Sequence, residues 1–392
     1  MTSELFKIGI VGAGAMGAGI AQVAARAGHR VSVFDTNKEA LVTSRKKLEE
    51  LLNRLVEKNR MSEEDAGHLF NRIVWVSTLE DLAGSNLVIE AIVENLEIKK
   101  KVFSELEGLV DQECILASNT SSLSIAAISS SCNNKARVMG IHFFNPAPFM
   151  PLVEVIPAIG TDLKLIDSVV ELMKKWNKTP VTAKDTPGFI VNRIARPFYG
   201  EALRIYEEGR EGLPEGIAGF ATIDWAMREI GGFKMGPFEL MDYIGNDVNF
   251  AVTESVFSAF FYDPRYRPSI TQRRYSEAGW LGRKSGRGYY DYSDNAEQVK
   301  PLKDKELGNK IVDRIVCMLI NEAVDAVYLR IASADDIELA MIRGVNYPKG
   351  LLAWGKEIGY NKVLSQINEL HKVYNEDRYR TSPLLSKWAK ES

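Results

Sequence analysis

The hexapeptide GAGAMG at residues 12–17 restricts this chain more than any other stretch. It follows an apolar run at 7–11 that suits a buried strand and opens a helical pattern; a second apolar run at 31–34 then ends on Asp35. A lone G-x-G-x-x-G is a weak signal, but strand, glycine turn, helix, strand and terminal acid at this spacing make a dinucleotide-binding unit. Gly12 permits the tight turn, Gly14 lets the backbone approach a pyrophosphate, and Gly17 allows close helix packing. The helix N-terminus, with Ala15 and Met16 in its first turn, favours the anion. Asp35 is placed to accept hydrogen bonds from ribose hydroxyls. A 2′-phosphate would meet a like charge there, and no arginine follows, since the next residues are Thr36 and Asn37. The expected cofactor is NAD rather than NADP. The alternative for Asp35 is a residue that merely caps the next helix.

Further apolar runs at 73–76, 87–91, 115–117 and 138–142 alternate with helical stretches, which predicts a doubly wound, Rossmann-like α/β domain over 1–185. Between the second and third runs lies an insertion, 38–71, with Leu48, Leu51, Leu52, Leu55 and Val56 at helical spacing and MSEE at 61–64 opening a second helix. It reads as a helical-hairpin arm. The strand pattern stops near 185. Helical periodicity takes over, with Pro197 expected to kink the first long helix. The expected organisation is an all-helical domain at 186–292, a polar linker at 293–307 and a second helical repeat at 308–392. The repeat is visible in the residues: DWAMREIGGFKMGPFELMDYIG at 224–245 aligns without a gap with ELAMIRGVNYPKGLLAWGKEIG at 338–359, and DPRYR at 263–267 is echoed by EDRYR at 376–380. A tandem duplication is the simplest source of this pattern.

Composition excludes several classes. A net charge of −3 and a pI near 6.0 give no overall attraction to nucleic acid. There is no signal-peptide pattern and no run of 18 apolar residues, so membrane insertion and secretion are disfavoured. The three cysteines, Cys114, Cys132 and Cys317, lack any C-x-x-C spacing, and no H-E-x-x-H occurs. Neither a disulfide framework nor a metal site is signalled, and a reducing cytoplasm is expected.

Only four histidines occur. His29 lies in an Ala-Gly-His-Arg turn, His68 on the arm and His371 in the second helical repeat, whereas His142 ends a buried strand. Ligands of open α/β sheets collect beyond the carboxyl ends of the strands, and Gly12, Asp35, Asn119 and His142 all fall at such ends. After His142, FFNPAPFMP turns the chain and LVEVIP returns as a strand. His142 and Glu154 are equidistant from Pro148, so a symmetric hairpin sets them opposite each other, with Cβ atoms about 4.5–5.5 Å apart. A carboxylate partner fixes the imidazole tautomer and stabilises the imidazolium, which suits a general base acting on a secondary alcohol.

The strings SNTSS at 118–122, HFFNPAPFMPLVEV at 142–155, DTPGFIVNR at 185–193, AIVENLEIK at 91–99 and GRKSGRGYYDY at 282–292 resemble the 3-hydroxyacyl-CoA dehydrogenase family in residue type and order. The resemblance covers almost the whole chain. It implies an NAD-dependent oxidation of an (S)-3-hydroxyacyl-CoA to the 3-ketoacyl-CoA, with a short chain such as 3-hydroxybutyryl-CoA as default and a dicarboxylic acyl group as the variant. By the same match His142 is the base, Glu154 its partner, and Ser121 and Asn192 hold the substrate's oxygens, while Glu94 contacts the nicotinamide end and Asn119 belongs to the cofactor site. Plainer readings stand beside these: Ser121 as a helix cap, Asn192 as a solvent-facing helical residue, Glu94 as part of the next helix's first turn. The arm carries seven basic and four acidic residues between 38 and 60. The resemblance points to it as a coenzyme A contact with Lys58 the best single candidate, against an exposed, salt-bridged helix. The second repeat lacks a T-P-G before its first helix and reads as a packing unit. It is expected to cover the patch that a partner subunit covers in single-repeat relatives, leaving a monomer or a homodimer. A dehydrogenase of free hydroxy or sugar acids and a non-catalytic NAD-binding module are the competing functions. The first usually has H-P-x-N-P-P where this chain has HFFNP, and the second predicts loss of His142 or Glu154, both of which are present.

Overall fold

The computed structural model describes residues 6–209, 212–297 and 299–391. The chain divides into two compact units, Met1–Phe189 and Ile190–Ser392. The division falls just past the expected 185, and both helical segments belong to one unit.

The first unit is an eight-stranded sheet flanked by helices. In chain order it runs β1 (Lys7–Val11), α1 (Ala15–Arg26), β2 (Arg30–Phe34), α2 (Lys38–Glu57), α3 (Glu63–Asn71), β3 (Ile73–Val76), β4 (Leu87–Glu90), α4 (Leu96–Leu109), β5 (Ile115–Ser118), α5 (Ile125–Ser129), β6 (Val138–Phe143), β7 (Leu152–Pro157), α6 (Leu163–Lys175) and β8 (Thr179–Thr182). The strand order is β3-β2-β1-β4-β5-β6-β7-β8. Strands β1 to β6 are parallel; β7 enters antiparallel to β6, through the turn after His142, and β8 shares its direction. The central strands β4 and β5 are buried throughout, because helices cover both faces of the sheet. β8, with the sequence TPVT, was not among the expected strands. It pairs parallel with β7.

The arm forms as expected. Asn37 caps α2, accepting from the backbone N–H groups of Glu39 at 2.9 Å and Ala40 at 3.3 Å, and Ser62 caps α3 through Asp65 N–H at 3.0 Å. Asp35 is therefore not the helix cap. Leu41, Leu48 and Leu52 are buried with Ala66 and Leu69 of α3 and join the main apolar cluster of the sheet. Leu51, Leu55 and Val56 are only half-buried.

The second unit contains α7 (Val191–Ile194), α8 (Arg196–Glu207), α9 (Ile217–Trp225), α10 (Pro237–Ile244), α11 (Asn246–Ala259), α12 (Ile270–Glu277), α13 (Lys305–Tyr328), α14 (Ala334–Gly344), α15 (Leu351–Ile358), α16 (Tyr360–Tyr374) and α17 (Pro383–Glu391). Pro197 sits in the first turn of α8, where its missing N–H costs nothing, and the break from α7 falls at Ala195. Helix α13 begins at Lys305, capped by Asp304 through the N–H groups of Glu306 and Leu307. The helix thus takes in residues 305–307, which the sequence pattern assigns to the linker. Most of α13 is buried, as befits a helix apolar on nearly every face.

The two helical segments share more than the 22-residue match. Asp224 accepts from the N–H groups of Phe238 and Glu239, both at 2.9 Å, and so caps α10 from a distance. In the second segment Glu338 does the same for α15, accepting from Leu352 at 2.7 Å and Ala353 at 3.1 Å. Setting Arg193 against Arg314 aligns RIARPFYGEA with RIVCMLINEA and brings Glu201 against Glu322. Glu322 binds Arg193 Nε at 2.6 Å, Arg265 Nη1 at 3.0 Å and the Tyr266 hydroxyl at 2.6 Å. Glu201 binds Arg314 Nε at 2.9 Å, Arg378 Nε at 2.8 Å and the Tyr379 hydroxyl at 3.1 Å. All of these side chains are buried. Burial alone would raise both carboxyl groups, yet the guanidinium groups beside them hold both below the usual carboxylate range.

Candidate active site

The sheet order places the expected site residues along one edge. From β2 through β6, the carboxyl ends carry Asp35, Gly12, Glu90, Asn119 with the serine loop, and His142. Asp35 Oδ2 accepts from Ala13 N–H at 2.7 Å and Oδ1 from Asn37 N–H at 2.8 Å, which fixes the acid against the glycine turn. Gly12 has φ +109°, and a Cβ there would lie 2.5 Å from the Ala91 carbonyl oxygen. A Cβ on Gly17 would lie 1.8 Å from the Gly12 carbonyl oxygen, so the helix packs where only glycine fits. Beside Gly14 there is open space, and α1 has neither a side-chain cap nor an acid in its first turn. Its first N–H groups remain available to an anion, and these residues fit the pyrophosphate of a dinucleotide.

His142 and Glu154 stand directly opposite each other in the antiparallel β6–β7 pair. Nδ1 lies 2.7 Å from Glu154 Oε2, with the histidine 5% exposed and the glutamate fully buried. The carboxylate takes the Nδ1 proton as a hydrogen bond, which leaves the Nε2 lone pair as the basic site of the neutral ring. Phe144 at 4.5 Å and Phe189 at 6.0 Å, between ring centroids, hold the imidazole plane. Asn119 Oδ1 accepts from Phe143 N–H at 2.8 Å and ties the end of β5 to that of β6.

Glu94 is committed to the loop after β5. Its Oε1 accepts from the Thr120 hydroxyl at 2.5 Å, Ser121 N–H at 3.1 Å, Ser122 N–H at 3.2 Å and the Ser122 hydroxyl at 2.9 Å, while Oε2 lies 3.3 Å from Lys99 Nζ. Burial opposes ionisation, but Lys99 and these donors outweigh it and keep the carboxyl below its ordinary value. Lys99 also binds Glu90 Oε1 at 2.6 Å, and Glu90 Oε2 accepts from Ser118 at 2.7 Å. Ser124, not Ser121, caps α5, assisted by Asp185, which accepts from Ile125 N–H at 2.9 Å and Ala126 N–H at 2.7 Å. Sequence reading missed Glu90, Ser118, Thr120 and Asp185. Part of the signal lay in AIVENLEIK and SNTSS, which Glu94 joins through Thr120, Ser121 and Ser122.

Two expected residues stand outside this cluster. Asn192 belongs to α7 in the second unit, and Lys58, at the C-terminus of α2, is exposed. The position in α13 that corresponds to Asn192 is Asp313, whose carboxyl is raised by burial. Among the described residues there is no cluster of three or more His, Cys, Asp or Glu placed to hold a metal, and no helix is long and apolar enough to cross a membrane.

Residues 7–186 match the family described as 3-hydroxyacyl-CoA dehydrogenase, NAD binding domain, and residues 188–292 and 311–392 match its C-terminal domain. The chain belongs to the 3-hydroxyacyl-CoA dehydrogenase family. It is an NAD-dependent oxidoreductase. Among its relatives is the 3-hydroxyadipyl-CoA dehydrogenase of Escherichia coli K12, 37% identical over 98% of each chain. A probable 3-hydroxybutyryl-CoA dehydrogenase of Bacillus subtilis is 41% identical over 74% of this chain and 99% of that one. The crystal structure of 3-hydroxybutyryl-CoA dehydrogenase from Escherichia coli K12 matches with a TM-score of 0.91 at 35% identity, covering 99% of both chains.

Proposed function

We propose that the protein reversibly oxidises an (S)-3-hydroxyacyl-CoA of short chain to the 3-ketoacyl-CoA, with 3-hydroxybutyryl-CoA as the simplest substrate. The buried His142–Glu154 pair at 2.7 Å, on the sheet edge that also carries the glycine turn, is the observation that supports this reading most. His142 Nε2 takes the 3-hydroxyl proton, and Glu154 stabilises the resulting imidazolium. Bound NAD supplies the acceptor for the hydride that leaves carbon 3. Ser121 and Asn192 hold the substrate's oxygens; Glu94 acts on the nicotinamide end through the Thr120–Ser122 loop it fastens. Lys58 and the basic arm receive the charges of coenzyme A. Cys114, Cys132 and Cys317 are all buried and unpaired, and burial pushes their thiols up to about 12, 11 and 12 respectively, which suits the reducing cytoplasm we assign to the protein.

Steady-state kinetics with NAD across a series of (S)-3-hydroxyacyl-CoA esters and the matching free acids tests the reading. Oxidation of the esters supports it, and oxidation of the free acids alone overturns it. The relatives' names divide between a monocarboxylic and a dicarboxylic acyl group. The far end of the acyl chain is therefore the part of the substrate still to be assigned.

A further inference from the structure

Among the described residues six arginines are buried: Arg137, Arg193, Arg196, Arg265, Arg314 and Arg378. Five lie against carboxylates: Arg137 near Glu107, Arg193 and Arg265 on Glu322, Arg314 and Arg378 on Glu201. Arg196, 6% exposed, has no acidic partner among the described residues. Its Nη1 donates to the Thr253 hydroxyl at 2.9 Å, its guanidinium carbon lies 5.0 Å over the Tyr199 ring, and its Nε has no hydrogen-bond partner. The nearby Tyr347 hydroxyl is also buried without a partner. Burial pulls the Arg196 guanidinium below its ordinary pKa, and the phenols of Tyr199 and Tyr347 only partly offset this. A buried cation left in this condition is costly, and such groups in folded proteins are paired.

Packing does not demand an arginine here. At the corresponding place in α13 stands Cys317, small, buried and uncharged. Arg196 also lies four residues after Asn192 along a stretch whose joint, Ala195, keeps helical angles, so both residues occupy one helical face. One turn separates them, about 6 Å along the axis. If Asn192 holds the oxygens near carbon 3, Arg196 stands at the distance of a group three carbon–carbon bonds further along the acyl chain. Thr253, half-exposed on α11, shows that the guanidinium lies close below the surface of its unit.

We propose that Arg196 receives a carboxylate at the far end of the acyl chain, so that the preferred substrate is a dicarboxylic 3-hydroxyacyl-CoA; this rests on the dehydrogenase reading given above. The Tyr347 hydroxyl is the second donor for that carboxylate. Arg196 thus acts as a specificity residue and takes no part in proton or hydride transfer.

The test compares 3-hydroxyadipyl-CoA with 3-hydroxyhexanoyl-CoA, six-carbon esters that differ only in the terminal carboxylate. The ratio of kcat/KM for the first over the second should be at least about tenfold in the parent and should fall at least about tenfold in Arg196→Met. Arg196→Lys, which keeps the charge but loses the planar fork, should retain part of the preference. A parent that oxidises both esters alike, or a ratio that Arg196→Met leaves unchanged, overturns the proposal while the dehydrogenase reading stands. A parent that oxidises neither of these two esters overturns the proposal, and one that oxidises no (S)-3-hydroxyacyl-CoA ester, 3-hydroxybutyryl-CoA included, overturns both. If Arg196→Met does not fold, inhibition of the parent decides the matter: adipyl-CoA should compete at least about tenfold better than hexanoyl-CoA, and equal inhibition overturns the assignment.

Discussion

Glu201 and Glu322 occupy corresponding positions in α8 and α13, and each is bound by two arginines and a tyrosine of the helical segment to which it does not belong. The contact is reciprocal in the way of a two-fold interface, where residue i meets j and j meets i. Both glutamates are held ionised by their partners, so removing either strands buried arginines.

The first prediction concerns that loss. Glu322→Ala should destabilise the helical unit by about 3–5 kcal/mol, the usual cost of breaking a buried ion pair from one side. Denaturant unfolding followed by tryptophan fluorescence measures it. A change below about 1 kcal/mol would mean that the cage is closer to a surface pair in strength.

The second uses the same reciprocity. A chain ending at residue 304 keeps Glu201 and also keeps Arg193, Arg265 and Tyr266, which are the two halves of one cage. Light scattering should show a dimer or aggregate, and Glu201→Ala in the shortened chain should weaken the dimer. A shortened chain that stays monomeric, soluble and active would show that the second segment covers no such patch.

The third addresses the base. His142→Gln should lower turnover by about 10²–10⁴-fold with NAD affinity unchanged. Turnover within tenfold of the parent removes His142 from the proton transfer.

The fourth concerns Asp35. With its carboxylate fixed against Ala13 N–H, the preference for NAD over NADP, read as a ratio of kcat/KM values, should collapse in Asp35→Ala. A parent that already prefers NADP contradicts the reading of this position.

The fifth is a pH effect. Lys178 is buried and donates to the carbonyl oxygens of Ala147 and Met150, in the turn that follows His142, and burial lowers its pKa to about 8. Between pH 8 and the unfolded value near 10.4 the unfolded chain binds the extra proton, so stability contributed at this site rises with pH across that window. The stability difference between the parent and Lys178→Met should grow in the parent's favour from pH 8 to about 10.4. A pH-independent difference would show that the amine is not depressed.

Much of this was legible in the residues. The β6–β7 register followed from taking the hairpin as symmetric about Pro148; the pairing across the connection at 144–151 has that symmetry, and it put His142 opposite Glu154. The glycine turn was legible because its three glycines meet distinct steric demands. β8 was missed because TPVT is short, carries a proline and has no alternation. The Glu90–Lys99–Glu94 chain was missed because a charged residue at a strand end gives no sign of burial until its partner is placed. The repeat was recognised at 224–245, yet the Arg193–Arg314 correspondence escaped, since in the ten-residue stretch that begins there only R, I, E and A recur.

The two glutamate cages have a further consequence. Subunits that meet through such a contact separate on dilution, whereas segments joined by residues 293–304 face each other at the effective concentration set by that tether. The helical interface should therefore remain closed however scarce the protein is, and its closure should show no dependence on the amount of chain present. Fusion also ends the rule that both sides of a two-fold contact carry the same residue. Asp313 and Cys317 can then differ from Asn192 and Arg196 while the arginines and glutamates that hold the halves together stay alike.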